Sequence, residues 1–323
     1  MESTGLSPST VVVVGAGISG VAAARQLVAA GLDVVVLERG RRVGGRMARW
    51  TRDGRAVDVG AAYFTIRDLE FRQLAEQWAT RGLAHPWTDT FTVAHAAGVH
   101  DRTVGPVRWS AEKGLRSLVE DLADGLDVRV GVEVERVGAG PSVDGRSVRA
   151  VVLAMPDPQA LDLVGDDLPG VRSVLRPEWD PVITVAASFP RRTWRGLDAM
   201  FVHDSPLTLV VDDGRRRGDG APVLVAHTTN EVARAHLDEP SAVVPEVLAE
   251  VERLVPVEGP PTWVEAKRWG SATPHDLRPE RYWLTEERVA LCGDGWSMRP
   301  RVEAAWLSGR DAGRGLAAQL ARE

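Results

Sequence analysis

Val11-Val12-Val13-Val14-Gly15-Ala16-Gly17-Ile18-Ser19-Gly20, followed by residues 21–30 and then by Gly31-Leu32-Asp33-Val34-Val35-Val36-Leu37-Glu38, decides how the chain begins. Four consecutive valines have the pattern of a strand buried on both faces. The alanine- and leucine-rich residues 21–30 favour helix, Gly31 stops it, and residues 33–38 read as a second strand ending in an acid. The result is a βαβ opening. Gly15, Gly17 and Gly20 form a G-x-G-x-x-G array between the first strand and the helix. Glycine there permits the tight turn, lets backbone approach a pyrophosphate and allows close helix–strand contact. The start of the helix, at Ile18 and Ser19, offers free N–H groups and positive dipole to phosphate. Glu38, followed by Arg39, stands where a carboxylate accepts both ribose hydroxyls; an acid at this place disfavours a 2′-phosphate. Glycines alone could form an ordinary turn. Joined to strand, helix and terminal acid, they predict a dinucleotide site.

The chain has 323 residues, which points to about two domains. Hydrophobic residues at 44% and charged residues at 26% fit a globular protein with a sizeable core. Acids outnumber bases 45 to 39, a net charge of −6 that argues against a general nucleic-acid or anionic-membrane binder. The single cysteine, Cys292, can form neither an internal disulfide nor a cysteine-based metal site, and fits a reducing compartment. Met1 to Thr10 carry no basic and apolar leader, and no apolar run is long enough to span a bilayer, so a cytoplasmic protein away from membranes is expected. His85, His95, His100, His203, His227, His236 and His275 show no metal-ligand spacing, and no serine sits in a G-x-S-x-G elbow. No metal is expected.

Further along, helices are expected at 68–80, 110–122, 159–164, 240–254 and 301–320. Strands are expected at 128–137, 147–154, 182–188, 222–227, 262–268 and 289–294. The arginine- and glycine-rich stretch 212–220 reads as a solvated hairpin loop. Because the last strand and helix repeat the style of the opening, the first domain is expected to be discontinuous.

Arg42-Val43-Gly44-Gly45-Arg46, directly after the second strand, resembles the R-x-G-G-R continuation of two-domain flavoproteins of the amine-oxidase type. Asp58-Val59-Gly60-Ala61-Ala62-Tyr63-Phe64-Thr65 is similar to the D-x-G-A-Q-Y-F-T segment of their renalase-like branch. Cys292-Gly293-Asp294, then Arg301-Val302-Glu303-Ala304-Ala305 and Leu307-Ser308-Gly309, extend the resemblance to the C-terminus. Gly131 to Val137 resemble the strand whose valine, here Val134, packs beside adenine. The resemblance implies non-covalently bound FAD. It places Gly45 and Arg46 at the pyrophosphate, Gly60, Ala61, Ala62 and Tyr63 along the flavin ring, and Asp294 on the ribityl or phosphate side. It also places the helix start at Arg301 and Val302 beside the pyrimidine carbonyl, where its dipole stabilises negative charge on reduced flavin.

The implied fold is α/β. A glutathione-reductase-like FAD-binding Rossmann domain comprises 1–66, 105–158 and 284–323, and an α+β substrate domain on a mixed sheet comprises 67–104 and 159–283. The implied activity is hydride transfer from a small reduced substrate, a dihydronicotinamide dinucleotide isomer returned to NAD(P)⁺, with electrons passing to O2 (giving H2O2) or another acceptor. A flavin amine oxidase or specialised-metabolite oxidase is the alternative, and a non-catalytic nucleotide-binding protein the reading from another class. Monomer or weak dimer is expected. The chain departs from the renalase-like pattern at Ala62, where the family has glutamine, and at Lys267 and Ser271, where it has histidine and tyrosine. Lys267 could then match the flavin-facing lysine of amine oxidases. Tyr63, Lys267, Trp269 and Trp296 are pocket candidates, against a default of packing for the aromatic residues. No general base stands out, and hydride transfer does not strictly require one.

Overall fold

The computed structural model describes residues 6–95 and 98–322; the side chains of Val99 and His100 lie outside the described part of the chain. It is a mixed α/β structure that divides into two compact units. The first joins Met1–Arg46, Val119–Trp179 and Thr273–Glu323; the second joins Met47–Leu118 and Asp180–Ala272.

In the first unit Val11–Val14 is buried throughout, as four β-branched residues facing apolar layers on both sides should be. It pairs in parallel with Val34–Glu38 on one side and Ala150–Leu153 on the other. Asp127–Val130 extends the sheet beyond Val34–Glu38, also in parallel. Val289–Leu291 continues the other side in parallel, and Trp283–Leu284 closes it antiparallel. Successive connections leave the first strand in opposite directions, so the glycine turn at its C-terminal end sits at the switch point of the sheet. Helix Ile18–Ala29 and the C-terminal helix Val302–Leu320 pack unusually close together. A Cβ on Gly309 would stand 1.9 Å from the Ser19 carbonyl oxygen, and one on Gly313 2.6 Å from that of Ala23.

The expected domain boundaries part company with these units at four places: residues 159–179 and 273–283, expected in the substrate domain, belong to the first unit, and two stretches go the other way. Residues 47–66 and 105–118 belong to the second unit. Arg49–Arg52 and Arg55–Asp58 form a hairpin there, and Asp58 accepts the backbone N–H of Leu115 at 2.9 Å. The helix expected over 110–122 starts only at Arg116, because residues up to Ser110 complete a long strand and a turn at Gly114 (φ +83°) intervenes. The strand expected over 128–137 stops at Val130.

The second unit is built on an eight-stranded mixed sheet. Its order is Trp263–Pro274, Trp179–Ser188, Val223–Thr228, Leu207–Asp212, Ala199–Val202, His85–His95, Gly98–Ser110 and Phe64–Thr65. Ala199–Val202 runs parallel to His85–His95, whereas Val223–Thr228 is antiparallel to both of its neighbours. Side chains alternate between faces with the period of a strand. Met200, Val210, Leu224 and Ala226 turn to a core shared with helix Val244–Leu254. Ala199, Leu209, Val211, Val223 and Val225 turn to the opposite core, with Val59, Ala62 and Phe91.

Residues 212–220 are not a solvated loop. Asp213–Arg217 is a short helix in which Asp213 and Arg216 are 0% exposed and Arg217 6%. Asp212 caps it by accepting the N–H of Arg215 at 2.9 Å. Partners from distant sequence explain the burial. Arg217 donates to Asp58 at 2.8 Å and to Asp213 at 3.1 Å, and Arg55 reaches Asp213 at 2.7 Å. Arg216 donates to Asp213 as well and, at 2.5 Å, to the carbonyl of Ala62. Burial pushes the Asp213 carboxyl up, but Arg216, Arg217 and Arg55 outweigh it and hold it well below the usual carboxylate range. Burial likewise opposes charge on Arg217, and Asp58 and Asp213 more than restore it.

His227 has a buried Nε2 without a hydrogen-bond partner. Burial first, and the charge of Arg216 second, push its pKa down to about 4. The native state therefore keeps this imidazole neutral between about pH 4 and 6.5, where the unfolded chain protonates it. In that window the unfolded state binds more protons, so stability falls as pH falls. The contribution is on the order of 3 kcal/mol and is fully present above the unfolded pKa. Denaturant unfolding of His227→Gln between pH 4 and 7 should show a flatter stability profile than the parent. Superimposable slopes would contradict a neutral buried imidazole.

Candidate functional site

The glycine turn of the first unit is built by contact. Gly15 has φ +101°, and a Cβ there would lie 2.7 Å from the Ala154 carbonyl oxygen. A Cβ on Gly20 would lie 1.9 Å from the carbonyl oxygen of Gly15. Gly17 differs: nothing lies within 4 Å of the position its Cβ would occupy. The helix begins at Ile18 with Gly17 as its cap residue, no capping side chain and no acid in its first turn. A helix start without an internal acceptor, beside open space, suits a phosphate.

Three further segments of the same unit reach this turn. Glu38 accepts the N–H of Ala16 at 2.8 Å with one carboxylate oxygen and that of Gly40 at 2.7 Å with the other. Two backbone donors fix the carboxylate and leave it lone pairs for hydroxyl donors. Arg39 beside it is exposed. Gly44 donates its N–H to Ala16 at 2.9 Å, and a Cβ on Gly45 would lie 3.4 Å from the Gly17 Cα, so this loop runs against the turn. Arg46 then forms a two-point pair with Asp294, at 2.5 and 3.2 Å. The geometry is the fork that planar guanidinium offers a carboxylate or a phosphate.

Behind that pair stands Trp179, whose ring lies 5.2 Å from the Arg46 guanidinium. A Cβ on Gly295 would come within 2.8 Å of the same ring. Nothing in the sequence near Trp179 marks it; only the folded chain shows that it backs Arg46. Gly293 is held by its N–H to Ser308 Oγ at 2.9 Å, which ties the Asp294 turn to the C-terminal helix. Cys292 is fully buried and burial pushes its thiol up to about 12, which disfavours the thiolate at neutral pH.

Other candidates stand differently. Arg301, the cap residue of the C-terminal helix, spends its guanidinium on the buried Glu303, at 3.0 Å. That first turn thus carries its own acid, and Val302 beside it is buried. Val134 is 4% exposed in the core with Val12, Val35 and Leu37, but in irregular backbone rather than a strand. Trp296 is also a core residue, with the buried Arg278 guanidinium 4.1 Å from its ring and Trp283 stacked on it.

Tyr63, Lys267 and Trp269 belong to the second unit, each half-buried. The Tyr63 ring packs edge-on to Phe91 at 5.4 Å, and the buried Arg108 guanidinium lies 5.6 Å from it. Trp269 donates its indole N–H to the Val59 carbonyl at 2.7 Å, and Lys267 Nζ stands 5.2 Å from its ring. Segment 58–62, which includes Gly60 and Ala61, is thus held at Asp58, Val59 and Ala62. Among the described residues no group of three His, Cys, Asp or Glu side chains is placed to hold a metal, and no helix is long and apolar enough to cross a membrane.

Comparison with known proteins gives the family and the fold. Residues 13–78 match the NAD(P)-binding Rossmann-like domain. Putrescine oxidase of Kocuria rosea is 46% identical over 67 residues, which is 21% of this chain and 14% of that enzyme. The chain aligns with only a small part of the curated relatives' length. Cyclohexylamine oxidase from Brevibacterium oxydans IH-35A has the same fold, with a TM-score of 0.78 at 17% identity over 98% of this chain and 100% of that one. The putative protoporphyrinogen oxidase from Exiguobacterium sp. 255-15 superposes with a TM-score of 0.76 at 16% identity, covering 97% and 100%. Residues 81–316, well over half of the chain, match the family described as flavin containing amine oxidoreductase. The chain belongs to that family, and its cofactor is FAD.

Proposed function

We propose that the protein is an FAD-dependent oxidase of small amines. The observation that carries the cofactor half of this reading is the uncapped helix start at Gly17, flanked by the fixed Glu38 carboxylate and the Arg46–Asp294 pair. In a glutathione-reductase-like arrangement, Glu38 receives the adenosine ribose, the N–H groups at Ile18 and Ser19 receive the pyrophosphate, and Arg46 neutralises it. Residues 60–63 run along the flavin ring in this reading, with Tyr63, Lys267 and Trp269 on the substrate side. FAD, held there without a covalent link, would supply the hydride-accepting chemistry, with O2 as the terminal electron acceptor and H2O2 as its product. The buried, protonated Cys292 supports the non-covalent link. Family membership and the likeness to putrescine oxidase support an amine as the substrate.

A second reading, oxidation of a dihydronicotinamide isomer, is favoured by the renalase-like wording of residues 58–65 and 301–309. The two differ in protons. An amine must be neutral before its α carbon can give up hydride, whereas a dihydronicotinamide needs no deprotonation.

Glu38→Ala should weaken FAD by about 1.5–3 kcal/mol, through loss of charge-assisted hydrogen bonds. Purification would yield partial apoprotein that excess FAD restores; an unchanged dissociation constant would leave Glu38 as a brace of the turn alone. For the substrate, anaerobic stopped-flow with a panel of small amines and dihydronicotinamide isomers should show an amine bleaching the flavin, faster as pH rises toward the amine's pKa. Bleaching by a dihydronicotinamide alone, with a rate flat between about pH 6 and 9, would select the second reading.

A further inference from the structure

We propose that Arg216 is a positioning residue for the flavin-facing segment, and that the pair Arg216–Arg217 clamps residues 58–62 at both ends. The inference rests on the reading that residues 60–63 run along the flavin ring. Arg217 grips the front of the segment through the Asp58 carboxylate at 2.8 Å, while the other carboxylate oxygen of Asp58 takes the Leu115 N–H at 2.9 Å. Arg216 grips its end through the carbonyl of Ala62 at 2.5 Å. Both arginines converge on one fully buried carboxylate, Asp213, which Arg55 also reaches. A guanidinium can bridge Asp213 and the Ala62 carbonyl because its donors point in fixed, divergent directions; an ammonium is a point charge on a stem without that fork.

The arrangement is costly for a part with only a scaffolding role. Two arginines and two aspartates are held out of water, with Arg55 reaching in from a partly exposed position; an apolar core of the same volume is often at least as stable. What the ions supply beyond stability is direction: two donors aimed at two fixed points of one short segment. Displacing a reacting surface by about 1 Å can cost on the order of 100-fold in rate, so a rigid clamp at Ala62 matters to the chemistry beside it.

Sulfite, which adds to oxidised flavin, reads the surroundings of the ring without requiring the substrate. In the holoenzyme, Arg216→Lys keeps a charge opposite Asp213 but loses the bridge to Ala62. It should leave the FAD dissociation constant within about threefold, because no residue of the first unit changes, and shift the sulfite dissociation constant roughly tenfold, the scale of one lost charge-assisted hydrogen bond. Arg215→Lys, on the same short helix but paired with Asp198 near solvent, should shift neither. Ala62→Val reports whether the segment borders the flavin and should itself move sulfite affinity. A silent Arg216→Lys beside a shifted Ala62→Val overturns the clamp and leaves the reading of the segment standing. Silence in both overturns the reading, and the clamp with it. A shift in Arg216→Lys alone places the effect away from Ala62 and also overturns the proposal. Should the lysine variant fail to fold, Arg216→Gln carries the same test with the same outcomes.

Discussion

An uncapped helix start has to leave its N–H groups open while the backbone around it is packed to contact. That constraint governs the first unit. Gly15 and Gly20 stand where a Cβ would meet carbonyl oxygen at 2.7 and 1.9 Å, so the turn and the strand beside it close without a gap. Gly309 and Gly313 let the C-terminal helix lie directly on the backbone of Ser19 and Ala23. The first helix is thus fixed from both sides, yet it starts at Gly17 without a side-chain cap and with empty space beside it. Four orphan N–H groups at a helix start need acceptors, and a pyrophosphate is a fitting one. Glu38 and the Gly44–Gly45 loop are held against the turn by its backbone, and Arg46, which continues that loop, pairs with Asp294, whose own turn is tied to the C-terminal helix through Gly293.

The second unit meets the opposite problem, charge buried without water. Its solution is a compact set of ion pairs centred on Asp213, in which carboxylates and guanidinium groups satisfy one another and most remaining donors find carbonyls, while the buried Arg216 Nε has no partner among the described residues. Removing one member strands its partners, and that loss is much larger than the net worth of the pairs. His227 stays neutral chiefly because burial disfavours its charged form, and the positive charge of Arg216 adds to that. The sheet supplies the frame: one face packs on the core under helix Val244–Leu254 and the other on the core that holds Val59, Ala62 and Phe91.

Much of the first unit is legible in the sequence because its signals are local. A β-branched run, three glycines at fixed spacing and an acid at a strand end lie within residues 11–38, and the family motif residues follow at 42–46. The second unit is less legible because its signals are not local. Residues 212–220 look like a loop since their composition is polar and their partner Asp58 lies 159 residues away from Arg217 in sequence. The long hairpin of His85–His95 and Gly98–Ser110 carries bulges that break the alternation by which a strand is recognised. Trp179 illustrates the same limit: packing under Arg46 is a property of three segments joined in space. Trp296 looks like a pocket residue beside Asp294, yet a neighbour in sequence need not share its surroundings, and it is a core residue under Arg278.

The central claim is that the first unit grips the adenosine diphosphate half of FAD, so that the flavin is held mainly by the end remote from its ring. Titrating the apoprotein with FAD and with FMN tests it directly, since FMN offers the same ring and ribityl phosphate but no adenosine for Glu38 and no second phosphate for the helix start. The account gives FAD an affinity at least roughly 100-fold higher, the scale of two charge-assisted hydrogen bonds together with the lost phosphate contacts. Equal dissociation constants for FAD and FMN would contradict it.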